Sequence, residues 1–264
     1  MRIPALAKVL KVKDAEGHEH ADDGKFTSGS GGAGKGNVST DHHQPEIKDL
    51  ASAKSWAMSN LIEDQNWDAP DGMSPEKEQE LREEFDPVKL DGIPAPVAST
   101  FLTTFGQVMQ KHGLPKLEKI TNKTSREHPH AVAAFSTDTG GQGPQLNINK
   151  TFIDGLTAKG TDLATWAKAQ QDDGFLAGGT VEDLAYHEAM HYYAHNQKSG
   201  KWLETLRECY KTAIEDGSIK RISRYAEENE NEFYAEAMVK AKNSDLRSFA
   251  TKHTIKLFKE LMPQ

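Results

Sequence analysis

The segment AYHEAMHYYAH, residues 185 to 195, carries His187, His191 and His195 at intervals of four, with Glu188 beside the first. Imidazole nitrogens are good ligands for a divalent metal, and a carboxylate next to one of them can accept a proton. Residues four apart stack on one helical face, so His187 and His191 can meet one ion. The pattern H-E-x-x-H in a helix interior binds zinc and uses its glutamate as general base, which makes Zn2+ the expected cofactor and Glu188 the expected base. A catalytic zinc takes three protein ligands and keeps a position for water. His195 is a poor third ligand, because eight residues of helix carry it roughly 12 Å beyond His187. The metzincin pattern H-E-x-x-H-x-x-G-x-x-H fails as well, with Ala194 at its glycine and Gln197 at its last histidine. His195 is expected at the surface or behind a ligand.

The third ligand must come from another segment, and RYAEENENEFYAEAMVKA, residues 224 to 241, is the candidate. Asn229 can cap a helix that sets Glu232 and Glu236 one turn apart on one face. A carboxylate from this helix could complete a His-His-Glu site of the thermolysin type.

From Thr180 to Glu236 the chain resembles the catalytic domain of the anthrax lethal factor family of zinc metallopeptidases, a branch of the gluzincins. HEAMH matches the first motif of that family. YAEENENEFYAEA matches the second, in which a tyrosine is followed by asparagine, a ligand glutamate, an aromatic pair and Ala-Glu. The resemblance implies a zincin-like fold, Glu232 as the zinc ligand, Tyr225 beside the substrate carbonyl and Glu236 as a supporting carboxylate. It covers about a quarter of the chain strictly and about half loosely, and nothing before about residue 97. The activity it implies is peptide-bond hydrolysis by a zinc-activated water, with a protein or peptide as substrate. From the same architecture, Gln145 to Lys150 is expected at the edge of the cleft, where it could pair with an extended substrate.

The elements that must hold these residues are mostly helical. Thr180 to Asp183 reads as a capping box that opens the HEAMH helix, and Gly200 is the expected end. IKDLASAKSWAMSNLIED, residues 47 to 64, has helical apolar spacing, and Ser74-Pro75 marks another helix start. VASTFLTTFGQVMQKHG should be a helix ending at Gly113, and TDLATWAKAQQ a further one. HAVAAFST and PQLNINKTF read as two short strands joined by the glycine-bearing turn DTGGQG. The expected fold is therefore α+β, mostly helical, with a small mixed sheet before the active-site helix. Three regions are expected: a flexible tail over 1–45, a helical segment over 46–96 (prodomain, docking element or wall of the catalytic domain), and the catalytic domain over 97–264.

The tail is poor in apolar residues from about Asp14 to Pro45 and cannot bury enough surface to offset its ordering entropy. Pro4 to Val12 could be a short docking segment ahead of it. GSGGAGKG, residues 29 to 36, falls short of a phosphate-binding loop, because Gly36 replaces the hydroxyl residue and no strand precedes it. His18, His20, His42 and His43 read as polar residues of a solvated tail. HEHADDGKFTSGSGG is similar to segments of tailed-bacteriophage proteins, especially those of head assembly. That resemblance implies an alternative: a virion-associated or head-assembly protein that keeps a zinc-stabilised, non-proteolytic zincin domain, with phage structural proteins as partners. Host cytoplasm or virion would then be its location.

A net charge of -8 over 264 residues argues against nucleic acid or an anionic membrane surface as partner. Cys209 is the single cysteine, so no intrachain disulfide can form. No apolar run approaches the roughly 18 residues of a membrane span, and the N-terminal sequence does not read as a secretory signal.

Overall fold

The computed structural model describes residues 47–63, 73–84, 86–124, 131–137, 143–197 and 199–263. The tail expected over 1–45, with its glycine-rich stretch, its histidines and the Pro4 to Val12 segment, lies outside them. The described residues form ten α-helices, two 3-10 turns and one three-stranded mixed sheet. None of the helices is long and apolar enough to cross a membrane.

Local chemistry sets the helix limits. α1 (Leu50–Asn60) starts at a capping box between Asp49 and Ser52, and α2 (Pro75–Glu84) begins with proline in its first turn. α3 (Ala95–His112) ends where Gly113 turns left-handed at φ 57°. Asn149 caps α4 (Lys150–Thr157) and Asp162 caps α5 (Leu163–Asp172). α6 (Val181–Asn196), the HEAMH helix, opens on the Thr180–Asp183 capping box. It does not run to Gly200. Ser199 caps a new helix there, α7 (Gly200–Glu215), so the glycine starts an element instead of ending one. The short α8 (Ile219–Ile222) and a 3-10 turn at Tyr225–Glu227 lead to α9 (Glu230–Asn243), capped by Asn229. α10 (Lys252–Leu261) closes the chain against α7.

The sheet order is β1 (Lys119–Thr121), β3 (Gln145–Ile148), β2 (Ala133–Ser136), with β1 parallel and β2 antiparallel to β3. This overturns the expectation for Gln145 to Lys150. The strand stops at Ile148 because Asn149 caps α4, and its place is the middle of the sheet, where both its edges are paired. The outer side of β1 is covered by residues before 96: Lys89 N–H bonds to the Ile120 carbonyl at 2.9 Å, and Leu117 N–H to the Leu61 carbonyl at 2.7 Å. Among the described residues the strand with an unpaired edge is β2, and that edge faces α6.

One core joins all these pieces. Ala53, Ala57, Leu61, Val88 and Ile93 from the 46–96 segment are buried in the same cluster as Phe101, Phe105, Tyr192 and Phe233. Tyr192 links the layers: its ring stacks on Phe105 at 5.6 Å and meets Phe135 of β2 at 4.8 Å, while its hydroxyl donates to the Pro115 carbonyl at 2.7 Å. α6 and α9 run antiparallel and are pinned at one end by buried Asp183. Its carboxylate accepts from Asn243 Nδ2 at 3.0 Å, Lys242 Nζ at 3.3 Å and Gly179 N–H at 3.2 Å. Burial alone would raise the Asp183 pKa, but these hydrogen bonds and the lysine charge lower it.

The approach of α6 to α9 leaves no room at Gly178. An alanine methyl there would lie 2.4 Å from Asp183 Cβ and 2.6 Å from Val239 Cγ1. Gly178→Ala is expected to cost about 2 kcal/mol of stability by overpacking. Gly155→Ala, inside α4 with nothing within 4 Å of the new methyl, should instead add about 0.5 kcal/mol. Urea-unfolding midpoints in the opposite order would contradict this packing.

Candidate metal centre

The antiparallel pairing of α6 and α9 sets His187 and His191 against Glu232. His187 Nε2 lies 3.1 Å and His191 Nε2 3.3 Å from Glu232 Oε2, and the two nitrogens are 2.9 Å apart. Four-coordinate tetrahedral binding at about 2.0–2.1 Å from each ligand requires ligand atoms separated by roughly 3.3 Å. The three separations are close to that edge length, so these atoms could hold one divalent metal ion.

The side chains behind the cluster fix its orientation. His187 Nδ1 donates to Glu236 Oε1 at 2.8 Å, which leaves Nε2 to face the cluster. Glu236 is 2% exposed, and its second oxygen accepts from the Ala177 N–H at 2.6 Å. Burial opposes a charge on His187, but hydrogen bonds and charge from Glu232 and Glu236 outweigh it, holding its pKa well above the ordinary histidine value. Burial likewise opposes charge on Glu232, yet the two imidazoles hold its carboxyl well below the usual range.

Glu188 lines the same cleft and reaches toward the sheet. Its Oε2 accepts the N–H of Phe135 at 2.8 Å, and burial pushes its pKa up against the opposing pull of His187 and His191. Tyr225 stacks its ring on His187 at 5.8 Å, with 21° between the planes. Burial and the negative charges of Glu232, Glu188 and Glu236 push its pKa well up, so the phenol keeps its proton and can donate it in a hydrogen bond. His195 is exposed and stays out of the cluster, with its ring 5.7 Å from Phe135.

His187, Glu188, His191, His195, Tyr225 and Glu232 line one cleft of about 1070 Å³, with the β2 edge on one wall and Asn229 to Glu232 on another, while Glu236 lies buried behind them. Trp202, Leu203 and Tyr210 of α7 form an apolar part of the lining. The sequence reading named His187, Glu188, His191, Tyr225, Glu232 and Glu236, and the fold brings all six together. It missed other contributors, the Phe135 amide and Tyr210 among them. The Phe135 amide is backbone and leaves no mark in a side-chain pattern. Tyr210, whose hydroxyl donates to the Glu227 carbonyl at 3.1 Å, sits on a helix whose spacing only announces an apolar face.

No family model, curated protein or solved structure matches this chain.

Two measurements follow from the geometry. In competition with a chromophoric chelator, Glu236→Ala should weaken metal binding about 10- to 100-fold by freeing the His187 ring. Metal binding must also expel the proton that metal-free His187 holds so firmly. Affinity should therefore fall as pH falls, by up to about tenfold per pH unit for each proton displaced. Affinity that is flat between about pH 6 and about pH 8 would show that the histidines are not ligands.

Proposed function

We propose that this chain is a zinc-dependent metallopeptidase of the gluzincin type, in which His187, His191 and Glu232 hold the metal. The observation that carries the reading is the convergence of three ligand atoms at tetrahedral spacing, beside a half-buried glutamate and a half-buried phenol in one open cleft. The anthrax lethal factor-like motifs and a zincin-like fold around them belong to the same proposal. When bound, zinc supplies Lewis acidity, polarising a carbonyl and making a water more acidic.

The chain's own residues do the rest. The open side of β2 receives the substrate: alternation along an antiparallel strand turns the Ala133 N–H and the carbonyls of Ala133 and Phe135 toward the cleft. An extended peptide can pair with these groups and lie across the ligand cluster. Glu188 takes a proton from the attacking water as its oxygen bonds to the scissile carbon. The protonated Tyr225 phenol donates a hydrogen bond to the carbonyl oxygen as negative charge develops there. When the C–N bond breaks, the proton held by Glu188 passes to the leaving nitrogen and a carboxylic acid remains. The raised pKa of Glu188 suits both halves of this transfer.

A pool of quenched fluorogenic peptides, incubated with zinc-loaded protein, tests the proposal. Cleavage is expected in the wild type, and Glu188→Ala should lower kcat by about 100-fold or more while keeping the metal. Tyr225→Phe should lower kcat about 100-fold with little change in KM. A Glu188→Ala protein with full activity would rule this chemistry out.

A further inference from the structure

Tyr225 is placed by a loop, not by either ligand-bearing helix. The chain leaves α5 through Gly174, whose φ of 71° suits a residue without a Cβ. Two backbone hydrogen bonds then tie the loop to the turn that carries the tyrosine. Arg224 N–H donates to the Gly174 carbonyl and Tyr225 N–H to the Phe175 carbonyl, each at 3.0 Å.

The Arg224 side chain closes this join from outside. Its Nη1–H donates to the Asp173 carbonyl at 2.6 Å, and its Nη2 pairs with the Asp173 carboxylate. The guanidinium carbon lies 5.9 Å from the centre of the Phe175 ring, and that ring packs on Tyr225 at 5.4 Å. Tyr225 is thus held between Phe175 on one side and His187 on the other. Two residues further on, the same loop donates the Ala177 N–H to Glu236, the carboxylate behind His187.

We propose that Asp173, Phe175 and Arg224 are positioning residues that clamp Tyr225 beside the ligand cluster, so that loop 173–179 sets the phenol and the His187–Glu236 pair in one common geometry. The kinetic consequence rests on the peptidase reading, while the clamp itself does not. Its ion pair is exposed, with side chains 53% and 62% accessible. Such pairs add little to global stability, so Arg224→Ala is expected to fold and to bind metal like the wild type.

The test joins hydrogen exchange with kinetics on the full zinc-loaded chain. In Arg224→Ala, exchange at the Tyr225 amide should quicken by about tenfold, with the α6 amides unchanged. In the peptidase assay, kcat should fall about tenfold with KM within about twofold, since only the reacting geometry is disturbed. Arg224→Lys should recover part of the loss, because it keeps a charge for Asp173. In a Tyr225→Phe background, Arg224→Ala should cost nothing further, because the clamp acts through the phenol. Unchanged exchange at Tyr225, or an undiminished loss in the Tyr225→Phe background, overturns the clamp. If the wild type cleaves no peptide, the peptidase reading fails, and exchange at the Tyr225 amide alone decides whether the clamp stands.

Discussion

A buried carboxylate held between two helices and a loop is the constraint on which the site depends. Glu236 sits in the middle of α9, almost out of contact with water, and both its oxygens are occupied, one by His187 Nδ1 and the other by the Ala177 amide. A charge taken out of water is tolerable only when its hydrogen bonds are met in full. That requirement fixes the rotation of α9 against α6 and the path of loop 173–179 at once. Asp183 repeats the device at the far end of the same helix pair, with Lys242 and Asn243 as its partners. With the pair fixed at its middle and at one end, His191 and Glu232 have little freedom in where they meet.

The sheet does a different job. Its three strands are only three or four residues long, and they are secured by the core around Tyr192 and by chain from the 46–96 segment laid along β1. Covering that side leaves β2 with the open edge, and the edge lies where α6 presents Glu188. The Phe135 amide that touches Glu188 therefore connects the backbone of one cleft wall to the group proposed as base. A peptide pairing with β2 would lie against the carboxylate proposed as base.

Much of this could be read in the sequence, and the division is physical. Capping boxes, helical spacing and the H-E-x-x-H pattern act within a turn or two, so α3, α5, α6 and α9 were apparent from neighbouring residues. The pairing of Glu232 with the histidines came from motif resemblance, because nothing local links residues 45 positions apart. Strand order is non-local, and so the central place of Gln145–Ile148 was missed, along with β1, whose three residues carry no alternation to read. Gly200 misled for another reason: glycine occurs at both ends of helices, and Ser199 before it is what decides the matter. The loop contacts to Tyr225 and Glu236 run through backbone amides and carbonyls, which no side-chain pattern records.

X-ray absorption at the zinc edge of the zinc-loaded protein tests the proposed centre most directly. The expected spectrum has nitrogen and oxygen ligands at about 2.0–2.1 Å in four-coordinate geometry, with outer-shell scattering from two imidazoles. In Glu232→Ala the two imidazoles should remain while one oxygen ligand changes. A chain that takes up no zinc, or one whose spectrum shows only oxygen ligands and no imidazole scattering, would contradict the assignment of His187, His191 and Glu232.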